Sequence, residues 1–178
     1  MTSEDAESVS NLAKSLEVDF ERPQANGFLV YLHEIEEFAR RSGLTDYFYV
    51  AERDSELVGY LMCYDNNALE SLVEANVLNY EDGIVREVSK QERPYIFGDH
   101  IGVREDLTQG NIGRNLMETL FEDMREKGIN RMYVGVLHSP VRNEASVSFV
   151  RSFGFEEVSE VSNSDGLIWG IYCRRQVL

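Results

Sequence analysis

Residues 95–137 constrain the fold more than any other stretch of the chain. YIFGDHIGV has the β-rich apolar content of a strand, and a polar loop, REDLTQGN, follows it directly. The period then changes. In GRNLMETLFEDMREKG, Leu116, Leu120 and Met124 recur at helical spacing with Met117 and Phe121 beside them, and Gly128 is placed to end the helix. RMYVGVL comes next, an unbroken apolar run suited to a strand buried on both faces. Strand, loop, helix and strand in this order predict a sheet covered by helices, which puts the chain in the α/β (α+β) class.

The flanking sequence adds elements of both kinds. Residues 4–16 predict a first helix, with Val9, Leu12, Ala13 and Leu16 on one stripe. NGFLVYLHEIEEFARRSG predicts a second: Leu29, Leu32, Ile35 and Phe38 share a face, and Arg40 and Arg41 complement the dipole before Gly43. His33, beside Glu34 in that helix, reads as a surface histidine. DYFYVAERDSELVGYLMCY reads as a hairpin turning at Arg53–Glu56. Beyond residue 137, HSPVRN leads to a short helix, EASVSFVRSF, that stops at Gly154. FEEVSEV and LIWGIYCRR then form a second hairpin. Residues 65–93 fit least well: DNNALESLVEANVLNY looks helical, EDG interrupts it, and IVREVSKQERP is ambiguous. The segment is too long for a hairpin loop and reads as an insertion in one domain spanning 1–178.

Composition limits the partners. The 178 residues suffice for one domain of ordinary size. Acidic residues outnumber basic ones 32 to 17, a net charge of −15, so no nucleic acid is expected to dock on a broad basic face. The acidic surface either attracts a cationic substrate or reflects a salty cytoplasm, where screening weakens self-repulsion. Cys63 and Cys173 sit in apolar contexts without metal-ligand spacing, no apolar run reaches membrane length, and the opening MTSEDAESVS resembles no leader. A reduced cytoplasmic protein with no metal and no membrane association is the expectation.

A strand feeding a glycine-containing loop onto a helix N-terminus suits a phosphate or pyrophosphate, because first-turn N–H groups are unpaired and glycine lets the backbone come close. Neither GxxxxGK[ST] nor GxGxxG is present, and Arg104 and Arg114 are balanced by Glu105 and Asp106, so backbone donors carry most of the binding. VREDLTQGNIGRNL, Val103 to Leu116, resembles the acyl-CoA signature of the GNAT superfamily of N-acyltransferases. NEASVSFVRSFGF, Asn143 to Phe155, resembles that family's later motif. The order of elements is similar from about residue 27 onward. The resemblance implies a single mixed, mostly antiparallel sheet flanked by helices, and transfer of an acetyl (acyl) group from acetyl-CoA to an amine without a covalent enzyme intermediate. A non-catalytic acyl-CoA sensor or scaffold of the same fold is the alternative. The acceptor would be a small-molecule or peptide amine.

The resemblance also assigns residues. Aligned on Val103 and Gly113, the motif's Gln/Arg position falls on Thr108 and its first glycine on Asn111; a one-residue slip would substitute Gln109 and Gly110. Backbone N–H groups from Gln109 through Gly110, Asn111, Ile112 and Gly113 to Arg114 would hold the pyrophosphate, and the main chain of Ile101 and Val103 the pantetheine arm. Asn143 would contact that arm, cap the following helix, or do both. Asp99 is the candidate base, against a plain polar strand residue; alternation groups it with positions 97 and 103 and sends His100 to the opposite face. His138, at the end of the next strand, is a candidate second base or substrate contact, against a histidine capping Ser139-Pro140. Val150 stands where relatives often carry the tyrosine that protonates the thiolate, leaving Tyr172 and Ser139 as other hydroxyls. The apolar residues of 65–93 (Leu69, Leu72, Val73, Val77, Leu78) are expected at the acceptor side or in a homodimer contact.

Overall fold

In the computed structural model, which describes residues 3–108 and 110–175, the chain turns first at Asp54 and Ser55. Both take positive φ (54° and 65°), the geometry that matches strand twist in a two-residue hairpin. That turn joins β1 (Phe48–Arg53) to β2 (Glu56–Asp65). The central strands are β3 (Ile96–Val103) and β4 (Arg131–Ser139), and a second hairpin, β5 (Glu156–Ser162) and β6 (Ile168–Arg175), completes the sheet. The order is β1-β2-β3-β4-β6-β5, and only β3 and β4 run parallel.

Helices cover both faces. On one lie α1 (Ser3–Ser15), α2 (Ile35–Ser42), α3 (Asn66–Glu74) and α4 (Gly83–Val88), packed with Val9, Phe38, Leu69 and Val85 against Tyr60, Met62, Tyr64 and Phe97. On the other lie α5 (Ile112–Glu126) and α6 (Glu144–Ser152), with Leu116, Leu120, Met124 and Val147 against Leu61, Cys63, Ile96 and Val136.

Two expectations change. The second helix starts at Ile35 rather than near residue 26. Leu29 instead pairs with α1's trailing segment: its N–H bonds the Leu16 carbonyl at 2.7 Å, and its carbonyl accepts from Val18 at 2.9 Å. Gly27 adopts φ +97°, outside helix geometry. Helical spacing in 26–34 thus yields to tertiary pairing. Residues 65–93, read as an insertion, form α3 and α4. Asp65 caps α3 through the Ala68 N–H, and Asp82, at the interrupting EDG, caps α4 through Ile84 and Val85. Leu69 and Leu72 are fully buried, and Val73, Val77 and Leu78 pack beside them. They find their surface in the chain's own core, so they supply no reason for a dimer.

Candidate active site

β3 pairs with β2 along its length but with β4 only from Ile96–Gly98 to Met132–Val134. Past Gly98 the parallel strands splay, leaving the β4-facing edge of β3 open among the described residues. A cavity of about 420 Å³ occupies the splay. One end meets the start of α5. There Asn111 is the N-cap at φ 61°, ψ 9°, a left-handed geometry asparagine tolerates better than most residues. The Asn115 N–H bonds the Asn111 carbonyl at 2.9 Å, so the N–H groups of Ile112, Gly113 and Arg114 are the orphan donors of the first turn.

Of the residues anticipated around the cofactor, Ile101, Val103, Thr108, Asn111, Gly113, Arg114 and Asn143 line this cavity. Gly110 and Ile112 border a separate hollow beside β1, and the Ile112 side chain packs over Gly59. Gln109 lies outside the described residues. A Cβ on Gly113 would stand 3.4 Å from the Phe149 ring, so a larger side chain there must displace its neighbours. Asn143 is buried with both ends of its amide used: Nδ2 donates to the Phe28 carbonyl (2.9 Å) and Oδ1 accepts the Ser146 N–H (3.1 Å). Its side chain caps α6 and tethers the 26–34 loop.

At the other end, the expected alternation fails. Register shifts between Met62 and Cys63, which face His100 and Gly98, leaving Asp99 as the extra residue of a β-bulge. The bulge turns Asp99 and His100 to the same face. Asp99 Oδ2 accepts from Tyr64 (3.0 Å) and Arg41 (2.9 Å), while His100 Nδ1 meets Tyr60 OH at 3.2 Å and its ring stacks on His33 with centroids 4.7 Å apart. Strict alternation is therefore corrected here. Arg41, anticipated only as complementing the α2 dipole, is buried on the Phe38 stripe and also bonds Glu37 at 2.9 Å. His33 lies before α2 and half-buried, not on its surface.

These groups set each other's charge. Burial pushes the Asp99 carboxyl up, but His100, Arg41, His33 and the Tyr64 hydrogen bond outweigh it and hold it below the usual carboxylate range. Burial pulls His33 down to about 3, helped by His100, and burial also lowers His100. Near neutrality the cleft presents an ionised Asp99, an ionised Arg41 and two neutral imidazoles.

His138 is not brought to the cleft. It belongs to β4 and its ring packs against β6 at Gly170, with Nδ1 3.1 Å from Glu160 and Nε2 3.0 Å from Tyr172 OH, and it is absent from the described cavity lining. Tyr172 and Ser139 do not line the cavity either, whereas Val150 does. Local sequence gave no sign of Tyr31 and Trp169 in the far wall, where Tyr31 stacks on Trp169 at 5.4 Å and Ile84 of α4, within the 65–93 segment, closes over Gly135. Tyr31 OH donates to Asp165 at 2.7 Å and accepts from Asn163 at 3.1 Å, and Asn163 also holds Asp82 and the Gly83 N–H. Three segments far apart in sequence thus form one mouth. Arg41 alone had a signal, its i+3 spacing from Phe38.

Residues 11–155 match the sequence profile of the acetyltransferase (GNAT) family. The chain belongs to that family. Accordingly, this GNAT protein is an acyl-CoA-dependent acetyltransferase that moves an acyl group from acetyl-CoA to an amine, and the non-catalytic alternative is not favoured. Ard1 from Thermoplasma volcanium shares its fold with a TM-score of 0.72 at 14% identity, covering 100% of this chain and 95% of that one. The NatC complex bound to Gag peptide and CoA contains a similar chain (TM-score 0.68, 10% identity, 99% and 93% covered). Arabidopsis thaliana Naa50 in complex with the bisubstrate analogue CoA-Ac-MVNAL is a third (TM-score 0.66, 14% identity, 99% and 95% covered). Among curated proteins no sequence matches. No helix among the described residues is long and apolar enough to cross a membrane.

Proposed function

We propose that this acetyltransferase modifies the amine of a peptide, with acetyl-CoA lying along the open edge of β3 and its pyrophosphate at the start of α5. The carrying observation is the continuous cleft, from the first-turn donors of α5 through the β3–β4 splay to a mouth lined by Leu29, Val30, Tyr31, Ile84 and Trp169. Asp82 and Asp165 stand at its rim and suit a cationic amine, and the apolar wall suits the side chain next to it. Two structural relatives were seen with a Gag peptide and with a CoA-peptide bisubstrate analogue, which supports a peptide acceptor.

In this reading the neutral amine attacks the thioester carbonyl, the carbonyl oxygen takes the charge, and collapse expels the CoA thiolate, which gains a proton. Asp99 orients the amine or the water that removes its proton, and Arg41 and Tyr64 fix the carboxylate. Its lowered pKa makes it a weak base, so it acts chiefly through position and charge. Val150 supplies no proton, and a thiolate with a pKa of about 8.5 leaves readily enough for water to serve. Net charge −15 argues against a nucleic-acid partner, and the buried free thiols of Cys63 and Cys173 suit a reducing cytoplasm. The test is thioester consumption with acetyl-CoA and a panel of peptides differing in their first residue, alongside polyamines. Transfer to peptides with apolar first residues is expected; transfer only to polyamines would overturn the peptide assignment.

A further inference from the structure

On the α5–α6 face of the sheet, away from the cleft, two irregularities meet. The β4–β6 register shifts between Leu137 and Ser139, making His138 an extra residue. The β5–β6 register shifts between Glu157 and Ser159, making Val158 extra. Removing Val158 from the alternation puts Glu157 and Glu160 on one face, where regular pleating would separate them. Both then face His138. Its ring lies flat on β6 because position 170 has no side chain: a Cβ on Gly170 would come within 2.3 Å of the imidazole.

Hydrogen-bond accounting at Tyr172 places a proton on His138 Nε2. The Tyr172 hydroxyl has one proton, and the Glu157 Oε2 carboxylate at 3.2 Å requires it. Its lone pairs then accept from Arg142 Nη2 (3.3 Å) and from His138 Nε2–H (3.0 Å). With Nε2 turned to Tyr172, Nδ1 is left facing the two glutamates. It stands 3.1 Å from Glu160 Oε2 and 4.0 Å from Glu157 Oε1, on a side chain only 10% exposed. The lone pairs of the three atoms repel one another unless a cation lies among them, either a proton on Nδ1 or a metal ion. The nearby cations sit elsewhere: Arg142 is on the tyrosine, and Arg151 is 3.9 Å from the other oxygen of Glu157.

We propose that His138 Nδ1, Glu157 Oε1 and Glu160 Oε2 bind a divalent metal ion of the zinc type, with water completing the coordination. Ligand atoms around tetrahedral zinc lie about 3.3–3.5 Å apart, between the two distances found here, and all three atoms lie within 4.8 Å of one another. The donor set is one imidazole and two carboxylates, which zinc accepts and which magnesium, preferring oxygen alone, does not favour. Tyr172 holds the far ring nitrogen, the role an outer partner plays for a metal-bound histidine. The ion ties β5, the edge strand, to β4, and so steadies the hairpin whose loop carries Asn163 and Asp165.

The test is calorimetric titration of chelator-treated full chain with Zn²⁺, and melting curves with and without it. One ion per chain and a raised Tm are expected, with affinity falling about tenfold or more in both Glu160→Gln and His138→Gln. No uptake, or uptake undiminished by these substitutions, overturns the site. Histidine ¹⁵N spectra of the unsubstituted protein keep the question open to refutation should a variant fail to fold. Nδ1 of His138 must lose its free or protonated signature on adding Zn²⁺; a proton remaining on Nδ1 refutes the proposal. A thiolate charge-transfer band with Co²⁺ would point to Cys63 or Cys173 and overturn it equally.

Discussion

The two ends of the cleft are built from different materials. The α5 end is backbone: a left-handed Asn111, the first-turn N–H groups, and the open edge of β3. The acceptor end is side chain: Asp99 held by Arg41 and Tyr64, His33 stacked on His100, and a wall of Tyr31, Trp169 and Ile84. A backbone site needs a short contiguous segment in the right conformation, so it leaves a readable motif. A side-chain site assembled from residues 31, 41, 84, 99 and 169 leaves no contiguous motif, and of these only Asp99 and Arg41 left a trace in the sequence. The backbone end should therefore fail completely when its local geometry is blocked, and the side-chain end should fail by degrees.

The largest expected effect follows from the first half of that contrast. Gly113→Leu drives a side chain into space bounded by the Phe149 ring, and the Tm rise caused by CoA should disappear. A full CoA-induced shift in this variant would mean that pyrophosphate does not lie at the start of α5.

Next in size, Asp99→Asn should lower kcat/KM by roughly ten- to a thousandfold while CoA affinity stays as it was. The loss should shrink at high pH, where more of the amine is already neutral. Because this change leaves buried Arg41 without its carboxylate, the paired variant Asp99→Glu is informative: partial recovery of rate is expected. An unchanged rate in Asp99→Asn would make the residue a structural partner of Arg41 and nothing more.

A smaller effect tests the far wall. Ile84→Ala opens the floor over Gly135 and should shift the preference between small and large first residues of the acceptor by about tenfold. The CoA-induced Tm shift should not move. If the preference is unaltered, α4 takes no part in acceptor choice and the mouth is narrower than the cavity lining implies.

The smallest effect is on stability against pH. His33 is held near 3 in the folded chain and takes its ordinary value of about 6.5 when unfolded. Between those values the unfolded chain binds the proton and the folded one does not, so stability is full above about pH 6.5 and declines as pH falls toward 3. The expected measurement is a Tm that drops through this window, and a shallower drop in His33→Asn. At about 1.4 kcal/mol per pH unit and roughly 2–4 °C per kcal/mol for a chain of this size, the difference in slope amounts to a few degrees per pH unit. Identical slopes would show that His33 is not buried as its stacking on His100 indicates.

The elements themselves were largely legible. Helical spacing located α1, α5 and α6, strand content located all six strands, and the polar run at Asp54-Ser55 marked its turn, because each rests on contacts within a few residues. The segment 26–34 was misread as helix for an equally physical reason. Its apolar spacing suits a helix, but Leu29 bonds to Leu16 and Val18, and the Phe28 carbonyl is taken by Asn143 from 115 residues away. The loop and helix start around Asn111 and Gly113 were legible as a strand–loop–helix unit. The orientation of His100 was not, since a bulge is a property of two strands and β2 decides it.

By itself, then, the sequence determined what depends on neighbours along the chain: the elements, the order of strands and helices, the loop at the head of α5, and the family. Only the tertiary structure decided which groups share an environment. Arg41 became a buried partner for Asp99, residues 65–93 sent Leu69 and Leu72 into the core and Ile84 to the cavity wall, and His138 left the cleft for Glu157, Glu160 and Tyr172. Those outcomes depend on strand register and on burial shared among distant segments. Local periodicity carries no information about either.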